Sequence, residues 1–159
     1  MNRFIIAAAV SLTALPAHAQ VMSAPDYVAA AGAGDLYERE SSQIVLSSTA
    51  DPKLKQFAQT MIAHHTKSTK DVVTAAKAAK IPTMPPKLTP AQAQMIAQLN
   101  AQTGKARDMA YVTQQKTAHM QALTLHQAYA KDGSAKPLRD AATTIVPVVQ
   151  HHIEMLKTM

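Results

Sequence analysis

The chain has no cysteine and no tryptophan, and only two phenylalanines in 159 residues. Without cysteine there are no disulfides, no thiolate chemistry and no acylated lipoprotein anchor, so stability must come from packing alone. Acidic residues are also scarce, ten against sixteen lysines and arginines, for a formal net charge of +6. No apolar run is long enough to span a bilayer. Nucleophile elbows, phosphate loops and paired-carboxylate motifs are absent too, which removes the usual sequence grounds for an enzyme. Alanine, glutamine, lysine and methionine dominate instead, and that composition describes an all-α protein.

The first residues read as an export signal. Met1-Asn2-Arg3 is a positive n-region, Phe4 to Leu15 is a short apolar stretch, and Ala17-His18-Ala19 is a small-x-small cleavage site before Gln20. The expected division is a signal peptide over 1–19 and one helical-bundle domain over 20–159, about 140 residues and enough for a single core. The protein is expected in the periplasm or associated with the outer membrane. Its lysines are spread along the helices, which suits solvated faces and at most a weak attraction to an anionic envelope surface. Nucleic acid is not an expected partner, because no aromatic-basic platform is present. Self-association into a homo-oligomer stays open.

Capping signals divide the chain. Ser23-Ala24-Pro25-Asp26 opens a helix over about 25–49, and Asp51-Pro52 opens a second that runs to about Lys80. The prolines of Ile81-Pro82-Thr83-Met84-Pro85-Pro86 cannot be helical. Thr89-Pro90 starts a short helix to about Thr103, Gly104 breaks or kinks it, and a longer helix is expected from about Lys105 to Lys131. The last helix begins near Lys136-Pro137 and carries Pro147 in its interior, where a bend is expected.

Every histidine after the leader falls in a helix: His64 and His65, His119 and His126, His151 and His152. Helical periodicity puts His65 on the apolar stripe of Ala58, Met61 and Val72, and His152 on that of Ile145, Val149 and Leu156. His119 shares a face with Gln115 and His126, and Glu38 lies on the stripe of Ala31, Ser41 and Val45. At about 1.5 Å per residue, Glu38 and His65 lie roughly 18 and 22 Å from the turn between their helices, and His119 and His152 roughly 20 to 28 Å from theirs. One ionisable side chain from each main helix is therefore expected at mid-bundle.

The segments KLKQFAQTMIAHH, ARDMAYVTQQKTAH and VPVVQHHIEML, together with Glu38, resemble the exported bacterial domain-of-unknown-function family 4142, whose members often carry an outer-membrane label. The resemblance implies a ferritin-like four-helix bundle, with residues 81–104 as a Pro-rich crossover holding the short extra helix. It also implies that Glu38, His65, His119 and His152 occupy the family's marked positions. His64 departs from the pattern, where the family usually has Asp. A di-iron centre is not expected, because the residues three before His65, His119 and His152 are Ile62, Lys116 and Val149 rather than glutamates.

The reading preferred from sequence is a non-enzymatic envelope stress or interaction module, in which Glu38 accepts hydrogen bonds from the imidazoles and fixes the register of the bundle. The alternative is a periplasmic metal-binding protein whose mid-bundle site for Zn, Cu or Ni consists of three histidines and one glutamate: His65, His119, His152 and Glu38. Met61, His64, His126, His151 and Met155 are its candidate outer ligands.

Overall fold

The computed structural model describes residues 22–159, so the expected signal peptide lies outside the described residues. Five helices follow one another: α1 (Ala24–Leu46), α2 (Pro52–Ala78), α3 (Pro90–Asn100), α4 (Gly104–Asp132) and α5 (Lys136–Leu156). The described residues contain no strand. None of these helices is long and apolar enough to cross a membrane.

The starts follow the capping chemistry. Ser23 accepts from the Asp26 amide, and Asp51 accepts from the amides of Lys53 and Leu54 at 2.8 and 3.2 Å. Thr89 and Gln92 close a reciprocal capping box at 3.2 and 2.9 Å. Gly104 has φ +54° and begins α4 rather than merely kinking a longer helix. Helix ends fall earlier than the periodicity suggests: α1 stops at Leu46, α2 at Ala78 and α3 at Asn100. At the end of α2, the Lys80 amide donates to the Lys77 carbonyl and the Ile81 amide to the Ala76 carbonyl, the paired hydrogen bonds of a Schellman turn. That turn puts Lys80 at φ 59°, where glycine is the usual occupant.

α1 and α2 form one antiparallel hairpin, α4 and α5 another, and the hairpins pack with α1 against α4 and α2 against α5. Tyr27 at the start of α1 meets His126 and Tyr129 near the end of α4. Arg107 at the start of α4 meets the end of α1. Hence α2 and α4 run the same way, and residues 79–103 must return along the bundle, which is the ferritin-like connection with one long crossover. The crossover packs on α1 at Gly32, where a Cβ would sit 3.2 Å from the Pro86 Cβ. Arg107 fixes the lower end: it donates to the carbonyls of Leu99, Gln102 and Ile44 and to the hydroxyls of Ser47 and Ser48. One buried cation thereby ties the last turns of α1 and α3 to α4.

The interior has three layers. Tyr27, Val72, Tyr129, Leu138 and Ile145 belong to an upper apolar core, and Phe57, Met61, Leu99, Tyr111 and Leu156 to a lower one. Between them lies a polar band of Asp35, Glu38, Ser41, His65, Gln115, His119 and His152, all buried. The α4 face is rotated from the expected stripe at its start, with Arg107 and Tyr111 inside and Asp108 and Val112 only half-buried. The helix α5 continues through Pro147 without interruption.

Lys80 carries the cost of a side chain in the left-handed region, about 1–2 kcal/mol for an L-residue. Lys80→Gly is expected to raise the melting temperature, with a net gain of up to about 1 kcal/mol after glycine's larger unfolded-state entropy. Lys80→Val should lower it. A thermal melt of both variants checks the sign.

Candidate metal centre

Four of the helices bring side chains to the polar band. His65 from α2, His119 from α4 and His152 from α5 each offer one ring nitrogen, and these nitrogens lie within 4.8 Å of one another. The rings stand at steep angles: His65 and His119 are edge-on at 5.7 Å between centroids, and His119 and His152 at 5.2 Å. Glu38 comes from α1, its Oε1 3.7 Å from His119 Nδ1, too far for a hydrogen bond.

The bonding partners set the tautomers. Asp35 Oδ1 accepts from His65 Nδ1 at 2.8 Å, and the other Asp35 oxygen accepts from the Thr69 hydroxyl at 3.0 Å. A carboxylate only accepts, so the Nδ1 of His65 carries the hydrogen and, in the neutral ring, Nε2 carries the lone pair. His65 Nε2 is buried and has no partner among the described residues. The Gln115 carbonyl likewise accepts from His119 Nδ1 at 2.9 Å, which leaves the His119 lone pair on Nε2. That Nε2 faces His152 Nδ1 at 3.2 Å, and His152 Nε2 faces His64 Nδ1 at 2.8 Å. Glu38 Oε2 and Gln115 Oε1, in the same polar band, are also buried without a partner among the described residues. An unpaired buried polar atom costs about 1–3 kcal/mol, so the polar band is incomplete as the protein alone builds it.

Burial keeps His119 and His152 neutral. Desolvation, assisted by the charge on His65, pushes His119 down to about 4 and His152 to about 2. The Glu38–His119 approach is therefore not an ion pair. Burial also opposes a charge on His65, yet the Asp35 bond and the negative charge of Glu38 outweigh it and raise its pKa. Desolvation raises Glu38 to about 7.

The arrangement corrects the sequence reading in its carboxylate. Asp35, not Glu38, receives the His65 hydrogen bond, and among the described residues no imidazole bonds Glu38. Asp35 directly follows Gly34 and lies three residues before Glu38, so the two acids share a helix face, and that spacing was the available signal. The proposed outer ligands divide. His64 contacts the cluster through His152, and His151 is exposed with its ring 6.4 Å from His152. Met61 belongs to the lower apolar core and Met155 packs against it. His126 bonds the Tyr27 hydroxyl at 2.9 Å, in the upper part of the bundle.

Fold and cluster together define a class: a one-crossover helical bundle with three converging, buried imidazoles in its polar waist. The chain belongs to the family described as Domain of unknown function (DUF4142), which it matches over residues 10–159. Its fold is similar to the crystal structure of a DUF305 protein from Streptomyces coelicolor described as secreted. The similarity has a TM-score of 0.66 at 15% identity and covers 84% of this chain and 90% of that one. No curated protein matches the sequence.

His126 gives a test of the electrostatics outside the cluster. Burial lowers it to about 4, against an ordinary value of 6.5. A depressed histidine contributes stability that is present above about pH 6.5 and lost as pH falls toward 4. His126→Gln, which keeps a partner for Tyr27, should make the acid loss of stability shallower by up to one proton, about 1.4 kcal/mol per pH unit. Denaturant unfolding of metal-free protein between pH 4.5 and 7.5 measures the difference.

Proposed function

We propose that the protein is an exported helical-bundle protein that holds one divalent transition-metal ion of the Zn, Cu or Ni group on His65 Nε2, His119 Nε2 and His152 Nδ1, with Glu38 as the fourth ligand. The observation that carries this is the orphaned His65 Nε2 in a group of three converging imidazoles, two of whose nitrogens are already 3.2 Å apart, with the unpaired Glu38 Oε2 in the same polar band. On a tetrahedral ion with bonds of about 2.0–2.1 Å, two imidazole nitrogens are about 3.3 Å apart. The spread of 4.8 Å among the three then has to close by at most roughly 1.5 Å.

The supporting groups also fit. Asp35 on the far nitrogen of His65 and the Gln115 carbonyl on that of His119 orient each ring and raise its basicity, as partners of metal-bound histidines do. His64 Nδ1 is placed to accept from His152 Nε2 once the His152 lone pair turns to the ion. Export is supported by the leader-like residues 1–19 and by the secreted description of the similar DUF305 protein. An oxidised compartment is compatible with a site made without sulfur.

One observation favours an ion-free reading as well. Hydrogen bonds can run from His64 through His152 and His119 to the Gln115 carbonyl with every hydrogen placed. In that state the band acts as a register device between two apolar cores, and the outer surface of the bundle carries the function.

Metal titration separates the two. Tag-free protein should bind one Zn or Co ion per chain, and at a hundredfold excess over Kd the stability should rise by about 2.7 kcal/mol. His65→Ala should abolish the rise and His126→Gln should keep it. No binding and no thermal shift at saturating metal would leave the ion-free reading.

A further inference from the structure

The three imidazoles of the cluster are not anchored alike. The far nitrogen of His65 bonds the buried Asp35, and that of His119 bonds the Gln115 carbonyl of its own helix. Asp35 is held in turn by Thr69. For His152 the corresponding nitrogen is Nε2, and its partner is Nδ1 of His64, 2.8 Å away on an exposed side chain of α2. The two rings lie nearly parallel, 5.1 Å apart between centroids with 17° between their planes. His119 and His152 are fully buried, and so is the Nε2 of His65. An ion arriving from solvent therefore reaches none of the three donor nitrogens until a side chain moves.

We infer that His152 is the ring that moves, and that its hydrogen bond to His64 is the latch that sets how fast the site takes up and releases its ion. This rests on the metal reading above, uses only the four protein ligands given there, and concerns the rate at which they exchange. Of the three anchors, only this one is broken by rotating an exposed side chain, with no buried carboxylate or helix carbonyl disturbed. The backbone near His152 is also held by one bond fewer. Pro147 has no amide hydrogen, so the Thr143 carbonyl lacks its helical donor little more than a turn before His152. The seam of α2 and α5 holds a cavity of about 230 Å³ lined by both histidines and by Ile145, Val148 and Val149. An aliphatic cavity of about 150 Å³ takes a benzene ring, so an unlatched imidazole has room to turn.

The same bond serves both states of the site. Without an ion, His64 Nδ1 donates to the lone pair of His152 Nε2; with an ion on His152 Nδ1, the hydrogen sits on His152 Nε2 and His64 Nδ1 accepts it. His64 reaches solvent and exchanges its hydrogens with water, so both directions are open to it. Opening the latch costs a similar amount before and after loading. Weakening it therefore raises the uptake and release rates together and leaves Kd little changed. A residue that only supports a bound ligand behaves otherwise, because its loss lowers affinity, by about 10–100-fold for partners of metal-bound histidines.

The test uses tag-free protein and Co(II), whose visible bands report binding in stopped-flow mixing with the ion, for uptake, and with a chelator, for release. His64→Leu keeps a covering side chain but removes the bond, and both rates are expected to rise by about 3–10-fold, one neutral hydrogen bond. His64→Gln, whose amide both donates and accepts, should bring both rates back close to wild type. Release that quickens while uptake does not, rates in His64→Leu that stay at wild-type values, or an equal rise in His151→Leu would overturn the latch and leave the metal site standing. Wild-type protein that develops no cobalt bands would overturn the metal reading and this one with it.

Discussion

The hydrogen bond from His65 to Asp35 decides what the middle of this bundle is. A buried imidazole has two nitrogens to satisfy, and Asp35, held by Thr69 on its other oxygen, takes one of them. The remaining nitrogen is then turned toward His119 and His152 rather than toward a helix backbone. Without that carboxylate, burial alone would favour the neutral ring and leave its tautomer unset. With it, the ring is oriented, and its second nitrogen is buried without a partner among the described residues.

The surrounding fold makes this arrangement tolerable. Upper and lower apolar cores supply the burial that a polar waist does not, with stacked Tyr27 and Tyr129 in one and the Phe57–Tyr111 edge contact in the other. Hydrogen bonds at the same height, from Gln115 to Ser41 and from Tyr37 to Gln114, join α1 to α4. Arg107 locks the lower end of the same pair of helices. The long crossover permits α2 and α4 to run in parallel, so α2, α4 and α5 can each present a histidine at one level while α1 presents the acids.

Much of this was readable in the residue order. Proline positions and capping residues divide the chain into the right five helices, and the depths of His65, His119 and His152 along those helices already place them at one height. Helix ends were less legible. Lys80 occupies a left-handed turn that composition assigns to glycine, and α1 ends at Leu46, where Arg107 takes the Ile44 carbonyl. The choice between Asp35 and Glu38 depends on side-chain reach across two helices, which spacing along one helix does not encode. The orphaned nitrogen of His65 and the unpaired hydroxyl of Ser68 arise from the packing of α2 against its neighbours, and periodicity is silent on that.

Protons and a metal ion compete for the same lone pairs here, so histidine nitrogens report the central claim most directly. Long-range proton–nitrogen correlation spectra of the protein before and after addition of Zn(II) assign each ring nitrogen as protonated, free or metal-bound. The account predicts that Nε2 of His65, Nε2 of His119 and Nδ1 of His152 become metal-bound together, while Nδ1 of His65 and of His119 keep their hydrogens. Spectra in which zinc leaves those three nitrogens unchanged, or engages His151 or His126 instead, would contradict it.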